Sequence, residues 1–189
     1  MNVYCITRNR SLTASTLQTL VNMNVKCMLR NKDLAIHMMD TRDGLGKLIE
    51  KGDTVLFLDY STSIDDASMD KCFEDFDGVR VFPSPVEGVD WDQFRRRTVD
   101  GSSEPVSQRA LKFDIDVPGT DPSAFVVGGN KFFRKLRDKK IKFPIKDTLA
   151  KLKAHDLHPV IFPTAVVTRS FPHECLGNIL EVSGVRLDP

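Results

Sequence analysis

Long apolar runs are missing from this chain, and so is any excess of charge of one sign. No hydrophobic stretch approaches the length that spans a bilayer. The amino terminus, MNVYCITRNR, lacks the apolar segment of a secretory signal. The expectation is a cytoplasmic protein with no membrane span. Lysine and arginine number 27 against 26 aspartate and glutamate, a net charge of +1, so no global field favours nucleic acid as a partner. Cysteine is scarce: Cys5, Cys27, Cys72 and Cys175 contain no C-x-x-C and match no zinc framework. They read as reduced, structural thiols behaving as small hydrophobes. Also absent are G-x-G-x-x-G, a Walker A pattern and a G-x-S-x-G elbow. Their absence argues against a dinucleotide oxidoreductase, a P-loop kinase and an α/β-hydrolase.

What is present suits one ordinary globular core. A chain of 189 residues with 41% hydrophobic content is long enough for one good core and short for two, so residues 1–189 are expected to form a single domain. Asn2 to Thr7 is a β-rich run, and Ser11 or Thr13 is placed to cap a helix through Leu12, Thr16, Leu17, Leu20 and Val21. Val25 to Leu29 reads as a second strand and Met38 to Glu50 as a second helix, weakened by Gly44 and Gly46. Val55 to Leu58 is the most apolar strand. Ser63 or Asp65 then starts a helix through Met69, Cys72 and Phe73, and Val79 to Phe82 is a strand stopped by Pro83 and Pro85. This alternation predicts an α/β fold with a mostly parallel central sheet and helices on both faces. Further on, Trp91 to Val99 is a helix candidate, Phe125 to Val127 a strand ending at Gly128-Gly129, and Lys131 to Arg137 a basic helix. Ile145 to Ala154 is a helix, Val160 to Phe162 a strand, and His173 to Val182 a last helix.

The stretch TRDGLGKLIEKGDTVLFLDYSTS, Thr41 to Ser63, carries the most information. A helix, a Lys51-Gly52-Asp53 turn and a buried strand lead to Asp59, a carboxylate where an α/β strand emerges and where such folds put ligands. Asp59 also suits a turn former. Phe113-Asp114-Ile115-Asp116 alternates like a strand with both carboxylates on one face, an alternative metal site. Gly128-Gly129 before a helix resembles a backbone phosphate cradle. Trp91 is suited to stacking on a sugar or nucleoside, or to a core. Arg95, Arg96 and Arg97 read mainly as a solvated face, and His155 and His158 show no partner spacing.

The order of these motifs resembles the GT-A glycosyltransferases, nucleotide-diphospho-sugar transferases, over roughly residues 1 to 135. It also resembles short GT-A-like proteins of large DNA viruses, which would make this a viral protein. The resemblance implies a transferase that moves a sugar from a UDP- or GDP-sugar to a glycan or protein acceptor. It places Thr7, Arg8 and Asn9 at the nucleoside and Arg42 at the diphosphate. Asp59 matches the first Asp of the family's D-x-D, with Ser61 at the second acidic position. Gly128 and Gly129 match a turn near the acceptor, and His173 a third metal ligand beside Asp59. Glu87 and Asp90 are candidates for general base or nucleophile, with Asp92 and Glu104 also eligible. A divalent cation offsets the leaving diphosphate as a Lewis acid. One carboxylate plus a hydroxyl predicts weak Mn²⁺ or Mg²⁺ binding. Where the metal is dispensed with, cations take its place; Arg8, Arg42, Lys131, Arg134, Lys135 and Arg137 are available. The incomplete D-x-D equally suits a degenerate, inactive GT-A domain acting as a binding or scaffold module.

Overall fold

The computed structural model describes residues 1–8, 10–85, 113–116, 119–162 and 167–169. Asn9, Glu87, Asp90, Trp91, Asp92, Arg95 to Arg97, Glu104, His173 and Cys175 lie outside them, as do the helix candidates at 91–99 and 173–182.

The architecture is a six-stranded sheet between two helical layers, with a small two-stranded sheet at the side. In chain order the elements are β1 (Asn2–Ile6), α1 (Ala14–Leu29), β2 (Ala35–Met39), α2 (Leu45–Glu50), β3 (Val55–Leu58), β4 (Thr62–Ile64), α3 (Asp66–Asp70), β5 (Gly78–Val81), β6 (Ala124–Gly128), α4 (Asn130–Asp138), α5 (Thr148–Ala154), β7 (Val160–Ile161) and β8 (Val167–Arg169). The large sheet runs β2-β1-β3-β6-β5-β7, and β4 pairs with β8. Within it, β6 alone opposes the other strands, pairing antiparallel with β3 and β5. The remaining pairs are parallel, as the strand-helix alternation predicts.

Strand periodicity divides the core. Val55 and Phe57 of β3 face one layer with Tyr4, Phe125, Leu48, Phe133 and Leu152. Leu56 and Leu58 face the other with Val3, Cys5, Leu20, Met23 and Met69. So α2, α4 and α5 cover one face, while α1 and α3 cover the other. The crossover through α1 runs outward from β1 to β2, and that through α2 runs back from β2 across β1 to β3. Direction and face reverse together, which keeps one hand for both crossovers.

Two sequence expectations are corrected. Val25 to Leu29 is no strand but the last turns of α1, and the second strand is Ala35–Met39. The β-branched Val25 suggested extended chain, yet Thr16, Leu20, Met23 and Cys27 make a buried stripe at helical spacing that continues through it. Thr13 caps this helix, its hydroxyl accepting from Thr16 N at 3.3 Å. Met38 and Met39, read as the start of a helix, pair with Cys5 and Ile6 of β1 instead. The helix begins only at Leu45, still burying the expected Leu45, Leu48 and Ile49. Of the two proposed starts for the third helix, Asp65 is the cap, accepting from Ser68 N at 3.1 Å. Ser63 belongs to β4.

Cys5, Cys27 and Cys72 are buried free thiols. Burial pushes Cys5 and Cys72 up to about 12 from an ordinary 9.0. The neutral thiol therefore belongs to the folded state, and its contribution is complete below about pH 9 and fades as pH climbs toward 12. Native protein at pH 8 is expected to resist iodoacetamide at these cysteines, with alkylation appearing in urea. Mass spectrometry of modified peptides reads the outcome, and rapid native alkylation of Cys72 contradicts the buried placement.

Candidate functional site

Neighbouring parallel strands β1 and β3 send the chain in opposite directions. From β1 it leads through α1 to β2, and from β3 through β4 and α3 to β5 on the far side. At such a switch point the loops diverge and open a crevice at the strands' carboxyl ends. Cys5 and Leu58 are register partners, so Thr7 and Asp59 emerge together at its floor.

Hydrogen bonds hold the rim. Thr7 donates its amide to Met39 O at 2.8 Å and its hydroxyl to the Asp40 carboxylate. Arg8 donates to the Tyr60 hydroxyl at 3.1 Å, its guanidinium 5.7 Å from the ring centre. The Tyr60 carbonyl accepts from Thr13 N at 3.1 Å and from the Thr16 hydroxyl at 2.9 Å. These bonds tie the start of α1 to the exit of β3. Half-buried Asp59 donates its amide to Ser123 O at 2.8 Å, and its Oδ1 accepts from Tyr60 N at 2.8 Å. The carboxylate thus shapes its own turn while standing at the crevice.

Arg42 comes from the loop between β2 and α2. Its guanidinium lies 4.5 Å from the centre of the Phe57 ring and pairs with Asp121 at 3.2 Å. Tyr4 secures the same loop by donating its hydroxyl to Thr41 O at 2.7 Å. Because β6 opposes the rest of the sheet, Asp121 and Ser123, which precede it, lie at this same edge. Asp40, Tyr60, Asp121 and Ser123 were not among the sequence candidates. Tyr60 had a local signal beside Asp59; the pairing of Asp121 with Arg42 had none, since it arises from the reversed β6.

Asp114 and Asp116 do not form a ligand pair on a strand. They sit in a turn after Phe113, where Asp114 is buried and Asp116 exposed. Asp114 accepts from Ser84 N at 3.1 Å, Ser84 Oγ at 2.8 Å, Ser123 N at 2.8 Å and Ser123 Oγ at 2.7 Å. Four donors around a buried carboxylate make it a joint between the end of β5 and the entry to β6.

Other candidates are placed elsewhere. Ser61 is fully buried, so its hydroxyl is not displayed beside Asp59 as a surface ligand. Gly128 and Gly129 lie at the opposite edge of the sheet, where Gly128 pairs with Gly78. Gly129 has φ +96°, and a Cβ there would fall 2.4 Å from Phe76 O and 2.2 Å from Asp77 Oδ1. The pair closes a turn against Phe76 and Asp77, and Asp77 accepts from Lys131 N at 2.9 Å, occupying the helix start. The basic run follows them: Lys131 and Lys135 border a hollow with Asp77 and Gly78, and Arg137 borders one with Glu50. Both hollows lie at the amino ends of the parallel strands, so these cations stand away from the crevice. Among the described residues no group of three cation-ligating side chains converges.

No family model matches the chain, and no curated protein matches it in sequence. Solved structures similar to it include a glycosyltransferase involved in glycosylation of the major capsid of PBCV-1. It shares 8% identity at a TM-score of 0.43, covering 97% of this chain and 98% of that one. A second is a Bacillus anthracis protein assigned as a glucose-1-phosphate thymidylyltransferase, in complex with a sucrose. It shares 12% identity at a TM-score of 0.47, covering 100% of this chain and 97% of that one. Likeness at this level concerns the course of the chain, and the site reading rests on the geometry above.

Asp114→Asn replaces an acceptor by a donor in front of two serines whose amides and hydroxyls all point inward. A loss of about 2–3 kcal/mol is expected, measured by urea unfolding. Loss below about 0.5 kcal/mol, the range of a neutral surface substitution, contradicts the joint.

Proposed function

We propose that the chain binds a nucleoside diphosphate sugar, UDP- or GDP-linked, in the crevice between β1 and β3 and transfers the sugar to a glycan or protein acceptor. The observation that carries this reading is the convergence of Thr7, Arg8, Asp59 and Tyr60 from adjacent central strands at one switch point. Each type suits the ligand. The Tyr60 ring offers a stacking face for a base, and the polar Thr7 and Asp40 suit ribose or base edges. Arg8 and Arg42 come from loops at the crevice end of the sheet, and guanidinium pairs well with phosphate oxygens. As the sugar leaves, charge grows on the diphosphate, and fixed cations there lower the barrier.

The acid-base or nucleophilic role falls to Glu87 or Asp90. The chain departs after β5 at Pro85 and returns at Phe113, and these two residues bridge each other. Both anchors lie on the crevice edge, which supports assigning the intervening carboxylates to this site. Asn9, between the described Arg8 and Arg10, remains with the nucleoside contacts. If a cation takes part, Asp59 and His173 are the residues to hold it, supplying Lewis-acid chemistry at the diphosphate. The burial of Ser61 where the family carries its second carboxylate favours a second reading, a nucleotide-binding module without transfer.

A thermal-shift panel of UDP, GDP and their sugar conjugates, with and without Mn²⁺, tests the binding. A nucleotide at a hundredfold its dissociation constant adds about 2.7 kcal/mol of stability. Asp59→Asn keeps an oxygen for Tyr60 N and should leave folding nearly unchanged while weakening the nucleotide about tenfold, the scale of one charge-assisted contact. Arg8→Ala should act similarly. No shift with any nucleotide defeats both readings; a shift with no release of nucleotide from the sugar conjugate, with acceptors offered, leaves the binding module.

A further inference from the structure

A chain of nearly zero net charge keeps its cations together. Of the 23 residues from Lys131 to Lys153, ten are lysine or arginine, and only Asp138 and Asp147 are acidic. The whole chain has 27 basic and 26 acidic residues, so the remainder holds 17 against 24 and is net acidic. All ten cations are exposed. Of the ten, only Lys151 has an ion-pair partner among the described residues, Asp147 at 3.4 Å. Residues 86–112 hold five basic and five acidic side chains, and 170–189 hold one and three. Those segments carry too few anions to neutralise the run.

Packing fixes where these side chains point. Phe132, Phe133 and Leu136 of α4 are buried, so Lys131 and Arg134 stand toward its outer side, with Lys135 and Arg137 on its two flanks. Lys135 borders the hollow beside Asp77, and Arg137 borders the one beside Glu50 of α2. Lys142 lines that second hollow and a third, shared with Lys47 of α2, Lys146 and Lys151 of α5. Packed helix axes lie about 8–10 Å apart, so the cations spread over a field roughly 20 Å wide across this layer. They form a patch rather than a single stripe.

The chemistry of the patch selects what it meets. None of the ten cations is buried, so they do not make a closed pocket for a small phosphate. A protein partner calls for an apolar, charge-depleted centre, and here the apolar side chains of α4 are turned into the core. Single-stranded nucleic acid calls for rings on which bases stack, yet Phe132, Phe133 and Phe143 are all buried. Eight of the ten are lysines, point charges on flexible stems without the fixed fork of arginine. Such a patch suits a broad surface of diffuse negative charge. We infer that the outer face of the α2–α4–α5 layer attaches the protein to the surface of a bilayer bearing anionic lipids. With nothing apolar left to insert, the attachment is electrostatic. Thr7, Arg8, Asp59 and Tyr60 lie outside this patch, so the inference does not depend on the nucleotide reading.

Co-sedimentation with vesicles tests this. The chain should pellet with phosphatidylcholine vesicles carrying about 30% phosphatidylserine and stay in solution with phosphatidylcholine alone. Raising the salt from about 0.05 to about 0.5 M should release it, because the interaction is screened. Arg134→Gln and Lys139→Gln, both at exposed positions, should each lower the partition about fivefold, the scale of one cation near such a surface. Lys32→Gln, in the turn after α1 on the opposite layer, should change it little. No pelleting with the anionic vesicles at low salt overturns the inference, as does pelleting indifferent to both substitutions on the patch. A short DNA duplex that strips the protein from the vesicles at equal phosphate concentration also overturns it, in favour of nucleic acid.

Discussion

The burial of β3 is the constraint on which the rest depends. Val55, Leu56, Phe57 and Leu58 are all fully buried, each worth about 1.5–3 kcal/mol relative to exposure. A strand buried on both faces cannot leave its amides and carbonyls to water. It needs a partner strand on each edge and an apolar layer above and below. Strand β1 supplies the parallel partner and β6 the antiparallel one. The two helical layers follow from the alternation of its side chains. Wherever this strand ends, the next residue is pushed from a dry core into the crevice, and that residue is Asp59.

The crevice is held by contacts reaching across the sheet rather than along the chain. Phe57 stacks on Phe125 with centroids 4.8 Å apart, and Tyr4 stacks on Phe57 at 6.4 Å. Arg42 rests its cation on Phe57, the ring in the middle of this ladder. Arg42 in turn reaches Asp121, and Asp114 joins Ser84 to Ser123. Three loops are thereby fastened around the ends of β1 and β3 by half-buried charge and by a satisfied carboxylate, contacts that hold geometry better than exposed ion pairs do.

Much of the fold was legible because local pattern and tertiary role agree. Asn2 to Thr7, Val55 to Leu58 and Val79 to Phe82 are apolar runs bounded by turn formers, and they are strands. Asp59 was legible for the same reason, as the first polar residue after the most apolar run. The failures share one cause. Val25 to Leu29 and Met38-Met39 each suit either state locally, and the buried stripe of α1 and the pairing with β1 decided between them. Gly128-Gly129 looked like a phosphate cradle because sequence does not tell which edge of the sheet a glycine reaches.

From the sequence alone came the α/β alternation, the central strand, the absence of a bilayer-spanning run and the place of Asp59 at that strand's end. These follow from periodicity and from where polarity interrupts it, which are local properties. The reversed direction of β6 was settled only by the tertiary structure. That reversal carried Asp121 and Ser123 to the crevice and Gly128-Gly129 away from it. It also made Asp114 a buried joint instead of a ligand. Strand direction here rests on pairing with β3 and β5, segments distant in the chain, a condition no single segment contains.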